Sequence, residues 1–441
     1  MNNKKFTVAI LGVGARGGNV YGNIISSQDE RFKINAICDI RQDRLDLYGD
    51  AFGVPKESRF LSEDAFFEAR RADALIIATY DRYHARQAER ALRLGYTVLL
   101  EKPIATSEAE LSSLEKAQKE TGGRLIICHV LRYAPVFTKM LDLVRSGEIG
   151  RLVTISAEEP VSYWHQAHSF VRGNARGGEI SASMLLAKCC HDLDLICAFA
   201  AKRPTRVSSF GSLTYFKPEN APEGAASRCT DCRYIESCPY SAKKIYIDGW
   251  HKSGCPENTW PTNALADRPI TEEKLYMAIR EGNFGRCVFA SDNDAVDNQF
   301  VIAEFEGGIR ASLSMTAFNP KGGRRYLLGG THGQIELSGD TLTVTKFGEM
   351  PITYTAEELK KALCGGTDEA AECISIKPAK PKPCDGHGGG DAGLISSLYA
   401  TLSGSACEPT LLEYSLDGYK LALVAEKSRA SGGALVNLEE L

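Results

Sequence analysis

No apolar run in the 441 residues is long enough to cross a bilayer, so a membrane span is not expected. The opening Met1-Asn2-Asn3-Lys4-Lys5 has no apolar core, which argues against a secretion signal and leaves the cytoplasm as the default location. Basic charge is not in excess either. Against 52 Lys and Arg stand 56 Asp and Glu, a net −4 that gives nucleic acid no footprint. Fixed-period repeats are missing, and low complexity is confined to the Pro/Lys and Gly stretch around Lys377 to Gly390. What is left is an ordinary globular composition, 43% hydrophobic and 24% charged, in a chain too long for one small core; two domains are expected. Cysteine is the one abundance. Fourteen in a long chain without a signal read as thiols or metal ligands rather than disulfides.

Phe6 to Leu11 is a short apolar, β-branched run, the pattern of a strand buried on both faces. It empties into Gly12-Val13-Gly14-Ala15-Arg16-Gly17-Gly18, which contains G-x-G-x-x-G. In a dinucleotide site Gly12 makes the tight turn, Gly14 lets backbone approach the pyrophosphate, and Gly17 lets helix pack closely on strand. The helix that follows would turn its unpaired N–H groups toward the phosphates. A second apolar strand, Lys33 to Cys38, ends at Asp39, near the ~20-residue offset at which a carboxylate holds the ribose diol. That acid favours NAD over NADP, although Arg41 is near enough to meet a 2′-phosphate instead.

Helices are expected from Asp43 to Phe52, Ser62 to Arg70, Arg86 to Leu94 and Glu108 to Thr121. They alternate with apolar strands Ala74 to Ala78, Thr97 to Leu100 and Arg124 to Cys128. This alternation predicts an open parallel sheet with helices on both faces, over residues 1–130. Ligands lie beyond the carboxyl ends of such strands, and Thr79, His84, Lys102 and Arg132 all follow strand ends, so one crevice is expected to gather them. From residue 131 to 441 the pattern changes to period two, in seven segments: Leu152 to Glu158, Arg206 to Tyr215, Gln299 to Glu306, Ile309 to Thr316, Arg325 to Gly330, Gln334 to Leu337 and Thr341 to Thr345. These predict a largely antiparallel sheet with one buried face, interrupted by a helix from Ser181 to Ala200 and closed by one from Leu416 to Arg429.

Three motifs together resemble the glucose–fructose oxidoreductase / inositol dehydrogenase (Gfo/Idh/MocA) family. They are Gly12 to Gly17, Glu101-Lys102-Pro103 about ninety residues later, and Cys190-His191-Asp192-Leu193-Asp194. The resemblance implies a Rossmann domain and a second, substrate and oligomerisation domain. It also implies a nicotinamide cofactor, and hydride transfer at a hydroxyl-bearing carbon of a sugar, glycoside or cyclitol. By it, Glu101 and Lys102 border the cofactor, and Lys102 takes or gives the hydroxyl proton. A lysine does this only where burial or a nearby cation weakens its hold on the proton. His191 would share that proton, and Asp194, three residues along the same helix, would orient the site. Alone, Lys102 reads as a surface lysine on a Pro turn and His191 as a satisfied histidine in a buried helix. Where many inositol-dehydrogenase-like members carry a carboxylate, four residues before the histidine, this chain has Ala187. Lys188 follows and shares a helical face with His191, either as a second cation in the pocket or as a snorkelling side chain. Arg132-Tyr133-Ala134-Pro135 resembles a family segment at the cofactor–substrate junction, and His387-Gly388-Gly389-Gly390-Asp391 resembles a subgroup motif. Relatives commonly associate, so a homodimer or homotetramer is expected.

Tyr163 to Asn174 packs Trp164, His165, His168 and Arg172 into one loop, a mix suited to a polyol: an aromatic face for the ring and polar groups for its hydroxyls. In a Pro- and Gly-rich insert at about 217–262, Cys229-Thr230-Asp231-Cys232 is followed by Cys238-Pro239 and Cys255-Pro256. Four thiolates make a tetrahedral zinc site or hold an iron–sulfur cluster, with zinc preferred and a folding role assigned. Two other functions stay open: a glycoside-cleaving enzyme working through a transient keto-sugar with tightly held NAD, and a non-catalytic cofactor sensor.

Overall fold

A computed structural model of the chain describes residues 5–177, 181–257, 259–365, 386–404 and 409–438. Most of the stretch around Lys377 to Gly390 lies outside them. Six short strands come first: β1 (Phe6–Leu11), β2 (Phe32–Cys38), β3 (Arg59–Phe60), β4 (Ala74–Ile77), β5 (Thr97–Leu100) and β6 (Leu125–Ile127). Their order is β3-β2-β1-β4-β5-β6 and every pairing is parallel. Alternate residues feed two cores, Ala9, Leu11, Leu75 and Ile77 on one face, Val8, Ile10 and Ile76 on the other. That is why these strands read as unbroken apolar runs. Strand order reverses between β1 and β4, so the turns leaving them, at Gly12 and Thr79, open the crevice where such sheets bind ligands.

The helix at Glu108–Thr121 has the expected bounds because both ends are marked. Ser107 accepts from Glu110 N at 3.3 Å, and Gly122 takes the left-handed conformation that ends it. The helix expected to run to Arg70 stops earlier, at Glu63–Phe67. One helix is recruited from far along the chain: Leu394, Ile395 and Leu398 of Gly390–Leu402 pack beside Phe6, Val8 and Phe32 on the first sheet.

The second sheet has nine strands: β7 (Leu152–Ser162), β8 (Pro204–Ser212), β9 (Asn298–Phe305), β10 (Arg310–Asn319), β11 (Arg325–Gly330), β12 (Gly333–Ser338), β13 (Thr341–Lys346), β14 (Ile352–Thr355) and β15 (Val436–Asn437). The order is β14-β13-β12-β11-β7-β10-β9-β8-β15, antiparallel throughout except for the central β7–β10 pair. Ile155, Ala157 and Val161 of β7 point inward with Ala311, Leu313 and Met315 of β10, toward Leu193 and Ile196 of Cys190–Ala200 and Leu421 of Leu412–Ala430.

A single helix from Ser181 to Ala200 does not form. It is broken into Met184–Ala187 and Cys190–Ala200, with Lys188 and Cys189 at the break. The cysteine-rich segment lies between β8 and β9 and has a small core of its own, with Tyr246, Ile247, Trp250, Leu275 and Ile279. No helix among the described residues is long and apolar enough to cross a membrane.

Candidate functional site

The glycine turn is shaped for close approach. Gly12 has φ +89°, and a Cβ there would lie 2.6 Å from Ala78 O; a Cβ on Gly17 would lie 2.0 Å from Gly12 O. Gly14 is open apart from Arg44 Nη1 at 3.3 Å, and Ala15 is exposed in the turn. Asp39 is buried just past the end of β2, where its carboxylate accepts from Val13 N at 2.9 Å and so borders the turn. Arg41 pairs with Asp43 and with Asp267 of the cysteine-rich segment, so its charge is already matched. Gly17→Ala should force the turn open and raise the NAD dissociation constant at least tenfold, measured by titration calorimetry.

Arg16 does not reach outward. It donates to Glu101 at 2.7 Å, to Tyr21 Oη at 2.5 Å and to Asp391 at 2.7 Å, while Tyr21 Oη donates to Glu101 at 2.6 Å. Burial opposes the Glu101 charge, but Arg16 and Lys102 outweigh it and hold the carboxyl below its usual range. Burial likewise opposes ionisation of Asp391; hydrogen bonding to His387 and the charge of Arg16 overcome it and depress its pKa. Asp391 joins the glycine turn to His387, whose Nδ1 lies 3.1 Å from it and whose ring centroid is 6.3 Å from that of His191.

Lys102 leaves β5 and donates from Nζ to Ala187 O at 2.8 Å, at the broken end of the helix before His191. His191 Nδ1 lies 3.5 Å from His129 Nδ1. Burial first, then the charge of Lys102, drive the His191 pKa well below 6.5. His129 is pushed down to about 4, by burial and then by Arg132 and Lys102 against the pull of Asp194. His165 falls to about 2 through burial and then Lys188, His168 and Lys102. Burial, with Lys102 acting on each ring, thus keeps all three imidazoles unprotonated at pH 7. The folded state refuses protons that the unfolded chain accepts below pH ~6.5, so stability should drop as pH falls from there toward 4. His129 alone contributes about 3 kcal/mol to that loss. Denaturant titrations across this range check it, and His129→Gln should flatten the slope.

Several expected site residues sit elsewhere. His84 is 1% exposed, with Nδ1 2.8 Å from Pro103 O and Nε2 3.2 Å from Thr79 O. It pins two strand-end turns. Thr79 is turned to Gln87 by a 2.5 Å hydrogen bond. Arg132 and Asp194 satisfy each other in a buried pair at 2.6 Å, and Tyr133 Oη is held by Ser397 and Thr410. Arg172 and His168 face the cysteine-rich segment: Arg172 donates to Tyr240 O, and His168 stacks on Phe284 and meets Tyr246 Oη at 3.0 Å. In each case a polar group at least partly buried is satisfied within the fold.

Other groups fill the space, and sequence patterning did not single them out. Glu159, on the inward register of β7 with Ile155 and Ala157, pairs with Lys188 at 3.4 Å and with Arg324 at 2.6 Å. Lys188 and Lys102 both act on its carboxyl, so Glu159 puts into this pocket the negative charge that Ala187 lacks. Trp260, from the cysteine-rich segment, has its ring centroid 4.8 Å from that of Trp164 and 4.7 Å from that of His165. The one available signal was a carboxylate at an apolar register position of an alternating strand.

Cys229, Cys232 and Cys238 line one cavity, and Cys287 joins them there. Cys255 does not. It is exposed, and its Sγ lies 3.4 Å from His251 Nδ1.

Residues 6–129 match an oxidoreductase family described as having an NAD-binding Rossmann fold. YteT of Bacillus subtilis (strain 168), named for an inferred oxidoreductase activity, is 25% identical over 348 residues, 77% of this chain and 75% of its own. Inositol 2-dehydrogenase of Corynebacterium glutamicum (strain R) is 26% identical over 206 residues, 46% of this chain and 57% of its own. A solved oxidoreductase of Agrobacterium radiobacter, in complex with NAD+, L-tartaric acid and magnesium, has the same fold, with TM-score 0.64 at 15% identity and 99% of each chain covered. By the glycine turn, the two sheets and these likenesses, the chain is an oxidoreductase whose residues 6–129 match the Gfo/Idh/MocA family with its NAD-binding Rossmann fold.

Proposed function

We propose that this oxidoreductase moves hydride between NAD and a hydroxyl-bearing carbon of a sugar, glycoside or cyclitol, with Lys102 and His191 handling the hydroxyl proton. Gly12, Gly14, Gly17 and Asp39 would hold the cofactor, which supplies the hydride acceptor or donor when bound. Asp39 beside the turn, with Arg41 already paired, favours NAD over NADP. Lys102 Nζ is the movable donor at the pocket: a substrate hydroxyl can replace the Ala187 carbonyl as its partner. His191, held neutral, offers a ring nitrogen to receive or return the proton. Lys188, kept in place by Glu159, orients further substrate oxygens, and the Trp164–Trp260 pair offers an apolar wall to a sugar ring.

The observation that carries this reading is Lys102 Nζ meeting the Ala187 carbonyl at the broken helix just before buried His191, at the strand end that Glu101 ties to the glycine turn through Arg16. The inositol 2-dehydrogenase relative supports the substrate class. A panel of sugars, glycosides and cyclitols mixed with NAD should yield absorbance at the NADH band for at least one member; no signal from any, in either direction, counts against net oxidation.

One observation favours a transient-redox reading beside it. Arg268 donates to Asn19 at 2.8 Å and Asp267 pairs with Arg41 at 2.5 Å, so the cysteine-rich segment is strapped to both helices that flank the nucleotide site. A strap there slows cofactor exchange, as an enzyme that oxidises and re-reduces one glycoside requires. Release of aglycone without accumulated NADH identifies that course.

We also place self-association on the outer face of the second sheet, where Phe210, Phe300 and Ile302 are 62%, 52% and 61% exposed on β8 and β9. Ile302→Glu should shift the chain to a smaller species in light scattering, and an unchanged mass would remove the sheet as the interface.

A further inference from the structure

We infer that Cys229, Cys232, Cys238 and Cys287 ligate a [4Fe–4S] cluster, with Arg172 as its buried counter-cation. The four thiols come from three separate stretches and line a single cavity, together with Arg172, Tyr240 and Ser241. Backbone pairing brings the distant one in: Cys287 N donates to Ser227 O at 2.8 Å, and Arg228 bridges to Arg286. That contact fixes Cys287 beside the C-x-x-C turn.

Cys229 already behaves as an acceptor. Arg172 Nη2 and Ala242 N both donate to its Sγ at 3.4 Å, whereas its own closest acceptor, Arg286 O, lies at 4.0 Å. Arg172 is 1% exposed, pairs with no carboxylate among the described residues, and its buried Nη1 has no hydrogen-bond partner. An uncompensated guanidinium in such a place is costly, and negative charge has to come from somewhere. Four thiols that lose their protons to solvent and bind a [4Fe–4S]2+ core as thiolates leave a net charge of −2 beside Arg172. The neighbouring cation and the N–H donors to sulfur are the groups expected around such a cluster.

Spacing separates the cluster from zinc. Tetrahedral zinc with bonds of ~2.3 Å draws its four sulfurs to about 3.8 Å from one another. Among the described residues, three side-chain ligand atoms come within 4.8 Å of one another at His129, Cys190 and His191, and no three of these four thiols do so. They surround a space rather than a point. A cubane fills it, because four irons and four sulfides stand between the thiolates. The cluster would clamp the base of the segment that delivers Trp260, Asp267 and Arg268 toward the cofactor.

The test uses the full chain, purified and reconstituted without oxygen with ferrous and ferric iron in equal amounts and sulfide. About four iron and four sulfide per chain are expected, with a low-spin signal on dithionite reduction. Cys287→Ser should lose most of that iron, and Cys255→Ser should keep it. One zinc and no iron in the wild-type chain overturns the inference. So does wild-type protein that gains no iron on reconstitution, or a Cys255→Ser variant that loses the cluster while Cys287→Ser retains it. The wild-type metal count stands whether or not the Cys287 variant folds.

Discussion

Lys102→Met is expected to lower kcat by about 10²–10⁴-fold while leaving NAD affinity within a few-fold of wild type. Methionine keeps the length and apolar stem of lysine but can neither donate to a hydroxyl nor take its proton. The groups proposed to hold the nucleotide, the glycines of the turn at Gly12 to Gly17 and Asp39 bonded to Val13 N, do not include the Lys102 amine. Binding and turnover should therefore separate. Lys102→Arg should stay slow, because guanidinium keeps the charge and donors but gives up no proton near neutrality. Wild-type kcat in either variant would remove Lys102 from the reaction.

Arg324→Met should cost about 3–5 kcal/mol of folding stability at pH 7.5, the largest effect anticipated for a residue away from the reacting groups. Its guanidinium holds Glu159 at 2.6 Å and Asp192 at 2.7 Å, both carboxylates being nearly inaccessible. Tyr326 Oη also donates to Asp192 at 2.7 Å, yet burial still raises the Asp192 pKa above its usual range. Burial works the same way on Glu159, where Arg324 and Lys188 prevail and hold its pKa down. Without Arg324 both groups would sooner be protonated, so the folded variant binds protons that the wild type does not. The deficit should shrink as pH is lowered from 7.5 toward 5, the direction opposite to the acid weakening caused by the histidines. Denaturant titrations of both proteins at each pH read the difference directly. A deficit that is constant with pH would mean that Arg324 acts through packing alone.

The sequence carried the parallel sheet and its cofactor turn because both are local: an apolar strand, glycines at fixed offsets, an acid at the end of the next strand. Glu108–Thr121 was legible to its ends since Ser107 and Gly122 mark them. The helix through Lys188 was not, because apolar periodicity runs straight across a break that the structure uses to meet Lys102. Arg132 read as a site residue because it follows a strand end, and Asp194 because it lies one helical turn past His191; in the fold the two pair with each other. Cys255 and Cys287 show the same limit: nearness along the chain favoured the first, while pairing of Arg228 with Arg286 brings in the second. Glu159 and Trp260 reach the pocket only through tertiary packing, which period-two patterning and an aromatic in a loop do not announce.

Transfer of isotope tests the central claim most directly. A substrate found in the sugar and cyclitol panel, deuterated at its hydroxyl-bearing ring carbons, is given to the enzyme with unlabelled NAD in a single turnover, and the cofactor is analysed by mass spectrometry. Quenched within the turnover, before any re-reduction can return the label, the nicotinamide should carry one deuterium with wild-type protein and almost none with Lys102→Met. Product formed by the wild type with no deuterium ever entering the cofactor would contradict the account.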